Sequence, residues 1–263
     1  MDNKKFKRIV VKVGTSTLTH DTGKTNIRQM KKLVAVLSDI VNSGIEVALV
    51  SSGSIGVGAG KIGLEDRPKD TTSKQALSTI GQCELMFMYD KMFSEYGHSV
   101  GQVLVTKRNV EQEETRKNLI NTFEKLFEYG VVPIINENDA IAIEEIVFGD
   151  NDTLSAIIAK LVGADALMIL TDTDGLYDKD PNEFDDAKVI PVVDTITESL
   201  FEIAGGRGSK FGTGGMITKL QAAQIATEAG IDTTVCSGDK PENLYKVLEG
   251  KEIGTLFRGS DKC

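Results

Sequence analysis

Residues 8–50 carry the pattern that decides the fold: RIVVKV (8–13), NIRQMKKLVAVLSDIVNSG (26–44) and EVALV (46–50). The outer two segments are short, apolar and β-branched, as in strands covered on both faces. The middle segment returns its apolar residues at helical spacing. Ile27, Met30, Leu33, Val34, Leu37, Ile40 and Val41 fall on one stripe, and Gly44 offers a stop. Strand, helix and strand in this order make a βαβ unit. The alternation continues outward through VGQVLV (100–105), the helix TRKNLINTFEKLFEYG (115–130), VVPII (131–135), the helix TLSAIIAKLVGA (153–164), ALMIL (166–170), the helix MITKLQAAQIATEAG (216–230) and TTVC (233–236). It predicts an α/β protein with helices on both faces of a mainly parallel sheet. The segment AIAIEEIVF (140–148) alternates apolar and acidic residues and predicts a small hairpin. Neither a linker nor an internal repeat divides the chain, so one domain over 1–263 is expected.

The composition narrows the chemistry. A formal net charge of −9 disfavours a chain that grips nucleic acid, which needs a basic face. No apolar run approaches the length of a membrane span, and the basic N-terminal residues run directly into the first strand without a signal-like apolar region. Cys83, Cys236 and Cys263 are widely spaced and include no CxxC pair, which indicates neither a disulfide framework nor a zinc site. A cytoplasmic protein acting on small molecules is expected.

Three constellations carry the chemistry. Six of the eleven residues from Gly205 to Gly215 are glycine, and the stretch GTGGMITK (212–219) opens a helix. It is not a Walker A loop, because Thr218 stands where a glycine must precede the lysine. Glycine-freed amides at a helix start, with Lys219 on the first turns, nevertheless suit a phosphate. Lys12 lies inside an otherwise apolar strand, where an ammonium requires an anion. NEND (136–139) and GDND (149–152) gather oxygen ligands at element ends, and Thr171-Asp172 ends a later strand; such groups can hold an ammonium, Mg²⁺ or each other. VSSGS (50–54) closes the second strand, where ligands bind in open α/β sheets. GAGKIG (58–63) satisfies GxGxxG but stands away from any strand end, so it does not indicate a dinucleotide site. His20 and His98 lack metal-ligand spacing and a nucleophile partner.

Taken in order, VVKVGTS (10–16), VSSGSIGVG (50–58), INENDA (135–140), FGDNDTLSA (148–156), LTDTDGLYDKDP (170–181) and GTGGMITKLQAA (212–223) resemble the amino-acid kinase family. The resemblance runs from the first strand to about Phe257. It implies a three-layer α/β/α sandwich and ATP-dependent phosphorylation of a small acid. The NEND and GDND pair together with the lysine loop points to the branch acting on the γ-carboxylate of free L-glutamate, the first step of proline biosynthesis, rather than to the acetylglutamate, aspartate, carbamate or UMP branches. Carried over residue by residue, it implies that Lys12 and Lys219 meet the transferring phosphoryl group. Lys12, Thr171, Asp172, Thr213, Gly214, Gly215, Met216, Ile217, Thr218 and Lys219 would bind ATP. Ser52, Asp139, Asp150 and Asn151 would bind glutamate, and Asp152 would place Mg²⁺, with the choice between Asp150 and Asp152 left open. A homo-oligomer is implied, and proline is left open as a feedback inhibitor. The chain stops soon after GTLFRG, so the additional C-terminal PUA-type domain of many members is not expected. An acetylglutamate-type kinase and a non-catalytic amino-acid or nucleotide sensor are the alternatives, but a sensor would not need both lysines.

Overall fold

A computed structural model describes residues 6–20, 24–64, 68–142, 150–181, 183–205 and 215–260. Eight strands form one sheet: β1 (Arg8–Val13), β2 (Glu46–Ser51), β3 (Val100–Val105), β4 (Val132–Glu137), β5 (Ala166–Thr171), β6 (Val192–Val193), β7 (Asp232–Ser237) and β8 (Thr255–Phe257). The helices among the described residues are α1 (Thr15–Leu18), α2 (Ile27–Asn42), α3 (Ser54–Ile62), α4 (Thr71–Ser94), α5 (Lys107–Glu111), α6 (Glu113–Glu128), α7 (Asn151–Leu161), α8 (Glu198–Gly205), α9 (Met216–Glu228) and α10 (Asn243–Leu248). The strand order is β3-β4-β2-β1-β5-β7-β8-β6. All pairings are parallel except β7 with β8. The mainly parallel three-layer sandwich expected above is present, with a short antiparallel departure at one side. The predicted hairpin 140–148 lies largely outside the described residues.

Strand periodicity decides what faces the site. Successive side chains of a strand point to opposite faces. In β1, Ile9, Val11 and Val13 enter the core packed by α2 and α4. Val10 enters the opposite core, built with Leu154 and Ile158 of α7 and Leu220 and Ala223 of α9. Lys12 shares the parity of Val10, so its side chain rises on the α7 and α9 face. It also sits mid-sheet, in register with Val50 of β2 and Ile169 of β5. The solvent-facing edge position is thereby excluded for this lysine.

One predicted detail differs. Ile27, assigned to the apolar stripe of α2, is 54% exposed on the helix's first turn, and Val41 is only half-buried; the buried stripe runs from Met30 to Ile40. The GAGKIG stretch is α3 and its C-cap, and its first glycine serves a helix crossing. A Cβ on Gly58 would stand 2.0 Å from the Leu77 carbonyl oxygen, and one on Gly81 would stand 1.7 Å from that of Ser54. Alanine improves helix propensity over glycine by ~1 kcal/mol, but overpacking against backbone costs ~1–3 kcal/mol and here cannot be relieved by a rotamer change. The Gly58→Ala protein is therefore expected to melt below the parent; an unchanged or higher midpoint in thermal unfolding would show that α3 and α4 can separate freely.

Candidate active site

The carboxyl ends of β1, β2 and β5 enclose a cavity of about 270 Å³. Ligands of open α/β sheets bind at such ends. Lys12, Ser52, Asp150, Asn151, Asp152, Thr171, Asp172 and Lys219 all line it, together with Gly14, Thr15, Ser16 and Leu170. The fold thus gathers residues from five separate motifs. A hollow of about 90 Å³ at the amino ends of β1, β5 and β7, near Phe6, Ala166 and Asp232, lies where such sheets do not bind ligands.

At the centre, Asp152 joins the two lysines. It stands on the first turn of α7 and is 2% exposed, whereas Lys12 is 7% and Lys219 5% exposed. Lys12 Nζ lies 2.6 Å from Asp152 Oδ1, and Lys219 Nζ lies 3.3 Å from Oδ2. The Lys12 contact is a close ion pair at Oδ1. Thr218 Oγ donates to Oδ2 at 2.8 Å. Burial works to raise the Asp152 pKa, but the charges of Lys12 and Lys219 and the hydrogen bonds outweigh it and hold the carboxyl below its ordinary value. Asp152 is ionised at neutral pH. The two ammonium groups around Asp152 offer positive charge to an anionic ligand, although Asp150 and Asp172 also line the cavity.

Asp150 differs. It caps α7, accepting from the Thr153 amide at 2.8 Å. Burial and the neighbouring charge of Asp152 raise its pKa above the ordinary carboxylate value, against opposing contributions from the Thr153 amide and Lys12. A carboxyl pKa raised by folding contributes stability that is complete below the unfolded value, near pH 4, and is lost as pH rises through the folded value. Above that folded value the ionised Asp150 therefore opposes folding. Asparagine caps helices as well as aspartate does, so Asp150→Asn is expected to raise the melting temperature at pH 7, with the gain fading below about pH 4. Equal melting temperatures at pH 7 would show that the charge is not held under strain.

The opposite wall is neutral and polar. Asn151 Nδ2 lies within donor reach of Ser52 Oγ at 2.9 Å, Asn136 Oδ1 at 2.9 Å and the Ser51 carbonyl at 3.3 Å, three acceptors that share its two hydrogens. Gly53 follows with φ of +97°, a conformation that glycine adopts without strain, and turns the chain from β2 into α3. Asp139 does not line the cavity. Its Oδ2 accepts from Ser54 Oγ at 3.2 Å and Ser78 Oγ at 2.7 Å, at the start of α3 and on α4.

The lysine loop is described only from Gly215. Gly215 precedes α9 with no side-chain cap, leaving first-turn amides of Met216 and Ile217 to other acceptors. The Met216 side chain packs on the core and Ile217 approaches Gly205, so of these residues only their backbone is placed for a phosphate. Thr213 and Gly214 lie outside the described residues. Sequence reasoning left Ser54, Ser78, Gln82 and Tyr89 unassigned, although all four are buried near the site. Tyr89 OH contacts Ser51 Oγ at 2.9 Å. Ser54 opens α3 at the end of the VSSGS stretch, whereas the signal of Ser78, Gln82 and Tyr89 was polar residues at helical spacing on α4, a pattern that an apolar periodicity does not reveal.

Among the described residues no group of three or more His, Cys, Asp and Glu side chains forms a metal-binding cluster. Both oxygens of Asp152 already face cations or a hydroxyl. Asp150 borders the cavity, with its Oδ1 accepting from the Thr153 amide. This donor set fits a divalent ion delivered on a nucleotide, with phosphate oxygens completing its shell, better than a resident one.

The family model described as "Amino acid kinase family" matches residues 7–237. A glutamate 5-kinase of Clostridium perfringens is 54% identical over 258 residues, covering 97% of this chain and 96% of its own length. A glutamate 5-kinase of Streptococcus thermophilus is 48% identical, with 97% of each chain covered. Among solved structures, the isopentenyl phosphate kinase of T. acidophilum superposes with a TM-score of 0.68 at 20% identity, covering 95% of this chain and all of its own. The carbamate kinase of Giardia lamblia, bound to AMP-PNP, gives 0.68 at 17% identity, covering 96% and 98% of the two chains. At such identities the two structures speak to the fold.

Proposed function

We infer that this chain, which belongs to the amino acid kinase family, transfers the γ-phosphoryl group of ATP to the γ-carboxylate of L-glutamate. The products are L-glutamyl 5-phosphate and ADP, and the reaction opens the route to proline. The observation that carries the reading is the meeting of two buried lysines on Asp152 beside the cavity.

The chemistry asks little of a general base. The acceptor carboxylate is ionised at neutral pH, so one of its oxygens attacks the γ-phosphorus directly as the bond to the bridging oxygen breaks and ADP leaves. What the site must do is hold two anions in line and neutralise the charge between them. Lys12 and Lys219 are assigned that role. They come from β1 and α9, one to each oxygen of Asp152, which fixes both ammonium groups before nucleotide arrives. Thr171, Asp172 and residues 213–219 are assigned to ATP, with the first-turn amides of α9 facing phosphate. Ser52, Asn151, Asp139 and Asp150 are assigned to glutamate. Mg²⁺ would enter with ATP, faced by Asp152, and when bound it would shield the phosphate charges. ATP and free glutamate as co-substrates suit the cytoplasm.

Hydroxylamine converts an acyl phosphate into a stable hydroxamate and so tests the reading. With ATP and Mg²⁺, L-glutamate should give the γ-hydroxamate, and aspartate and N-acetylglutamate should give far less. No hydroxamate from glutamate, with product from another acid, would replace the assignment.

A further inference from the structure

Behind Ser52 runs a buried chain of amides that begins on α4. Gln82 Oε1 accepts from Asn136 Nδ2 at 3.0 Å, and Asn136 Oδ1 accepts from Asn151 Nδ2 at 2.9 Å. Asn151 Nδ2 in turn donates to Ser52 Oγ. Backbone groups fix the polarity at two points. The Glu137 amide, which can only donate, bonds Asn136 Oδ1 at 2.9 Å. The Ser51 carbonyl, which can only accept, takes Asn151 Nδ2. A flipped Asn136 would set its Nδ2 against two donors.

The consequence falls on Ser52. Its oxygen already accepts from an amide that cannot accept in return, so its own hydrogen must be donated elsewhere. Among the described residues that hydrogen meets no acceptor, and Ser52 borders the cavity. Ser52 is thereby a donor aimed at a ligand acceptor, as a carboxylate would be. We propose that Gln82 is a positioning residue for the acidic substrate, holding Asn136 and Asn151 in the one amide orientation that makes Ser52 a donor into the cavity. The proposal rests on the glutamate reading above and names a residue that does not itself touch substrate.

Burial makes the Gln82 bond matter. Asn136 is 3% exposed and Gln82 8%, so Asn136 Nδ2 without Gln82 would be a buried donor with no partner, and that loss favours other amide orientations. The helix is held rigidly enough for the task, because Gly81 lets α4 sit against the Ser54 carbonyl, and Ser78 one turn earlier holds Asp139. Ser78 and Gln82, four residues apart, form one polar stripe facing the site.

Gln82→Met keeps length and removes the acceptor, whereas Gln82→Glu keeps an acceptor. Gln82→Met is expected to raise KM for glutamate roughly ten-fold, with KM for ATP unchanged within about two-fold, and Gln82→Glu to bring KM for glutamate back close to the parent value. In a Ser52→Ala background the Gln82→Met effect on that KM should shrink to less than about two-fold, because the two residues act through one chain. Should Gln82→Met fail to fold, Gln82→Leu and the Gln82→Glu variant carry the same comparison. Parallel rises in both KM values, a full effect in the Ser52→Ala background, or no rescue by Gln82→Glu would overturn the proposal. Absence of glutamyl hydroxamate from the unmodified protein would instead overturn the kinase reading itself, which keeps the two failures apart.

Discussion

Lys219→Ala is expected to lower kcat by roughly 10²-fold or more while KM for ATP and for glutamate changes far less. Charge between the attacking and leaving oxygens is greatest in the transition state, and a preorganised cation there acts on turnover more than on ground-state binding. Lys219 has the placement for this: 5% exposed, on the second turn position of a rigid helix, and held 3.3 Å from Asp152. Removing it still leaves Asp152 paired with Lys12 at 2.6 Å, so the protein should fold and melt near its usual temperature. Arginine should not restore the rate, since a planar guanidinium cannot occupy the volume of a point-like ammonium in a buried site. Near-normal kcat in a folded Lys219→Ala enzyme would remove the lysine from the chemistry. Asp152→Ala makes a contrasting case. It leaves two buried ammonium groups without their shared partner, a loss worth ~3–5 kcal/mol, so its first expected symptom is a lower melting temperature.

The contrast between these two lysines and α4 shows what the sequence could and could not reveal. Lys12 was legible because a cation amid RIVV and Val13 breaks a strand pattern that otherwise demands apolar residues on both faces. Its need for an anion was legible too, but its partner was not. Asp152 lies 140 positions away by residue number, and the packing of α7 on β1 brings it to Lys12. β1, β2, β4, β5 and β7 were readable for the same reason as Lys12, each being a short, largely buried run, whereas the edge strand β3, read as covered on both faces, leaves Gln102 and Leu104 exposed. α4 was not. Its buried stripe holds Leu77, Ser78, Gly81, Gln82, Leu85 and Tyr89, and a face that supplies hydroxyls and an amide to a site, and a glycine to a helix crossing, has no apolar period to detect. The two-residue β6 and three-residue β8 were missed because strands that short carry no period at all. Local pattern reports burial against apolar neighbours, and it falls silent where the neighbours are a ligand site or another backbone.

N-acetylglutamate should be a worse substrate than glutamate by roughly 10³-fold or beyond in kcat/KM. The argument rests on the two carboxylates outside the lysine cluster. Asp139 Oδ2 is engaged by the hydroxyls of Ser54 and Ser78, and Asp150 Oδ1 by the Thr153 amide. A carboxylate has about four acceptor positions, so each keeps capacity for a donor from a ligand. A substrate ammonium would supply charge-assisted hydrogen bonds, stronger than those of a neutral amide. It would also relieve Asp150, whose carboxylate is disfavoured by burial and by Asp152. Acetylation removes the positive charge, adds bulk and leaves the carboxylates without a cation, so binding energy is lost and like-charge repulsion remains. Asp139→Ala should accordingly raise KM for glutamate much more than KM for ATP, and it should narrow the preference for glutamate over its N-acetyl derivative. If the unmodified enzyme turns over both acids at comparable kcat/KM, the ammonium is not what Asp139 and Asp150 recognise, and the acetylglutamate-type reading takes the place of the one argued here.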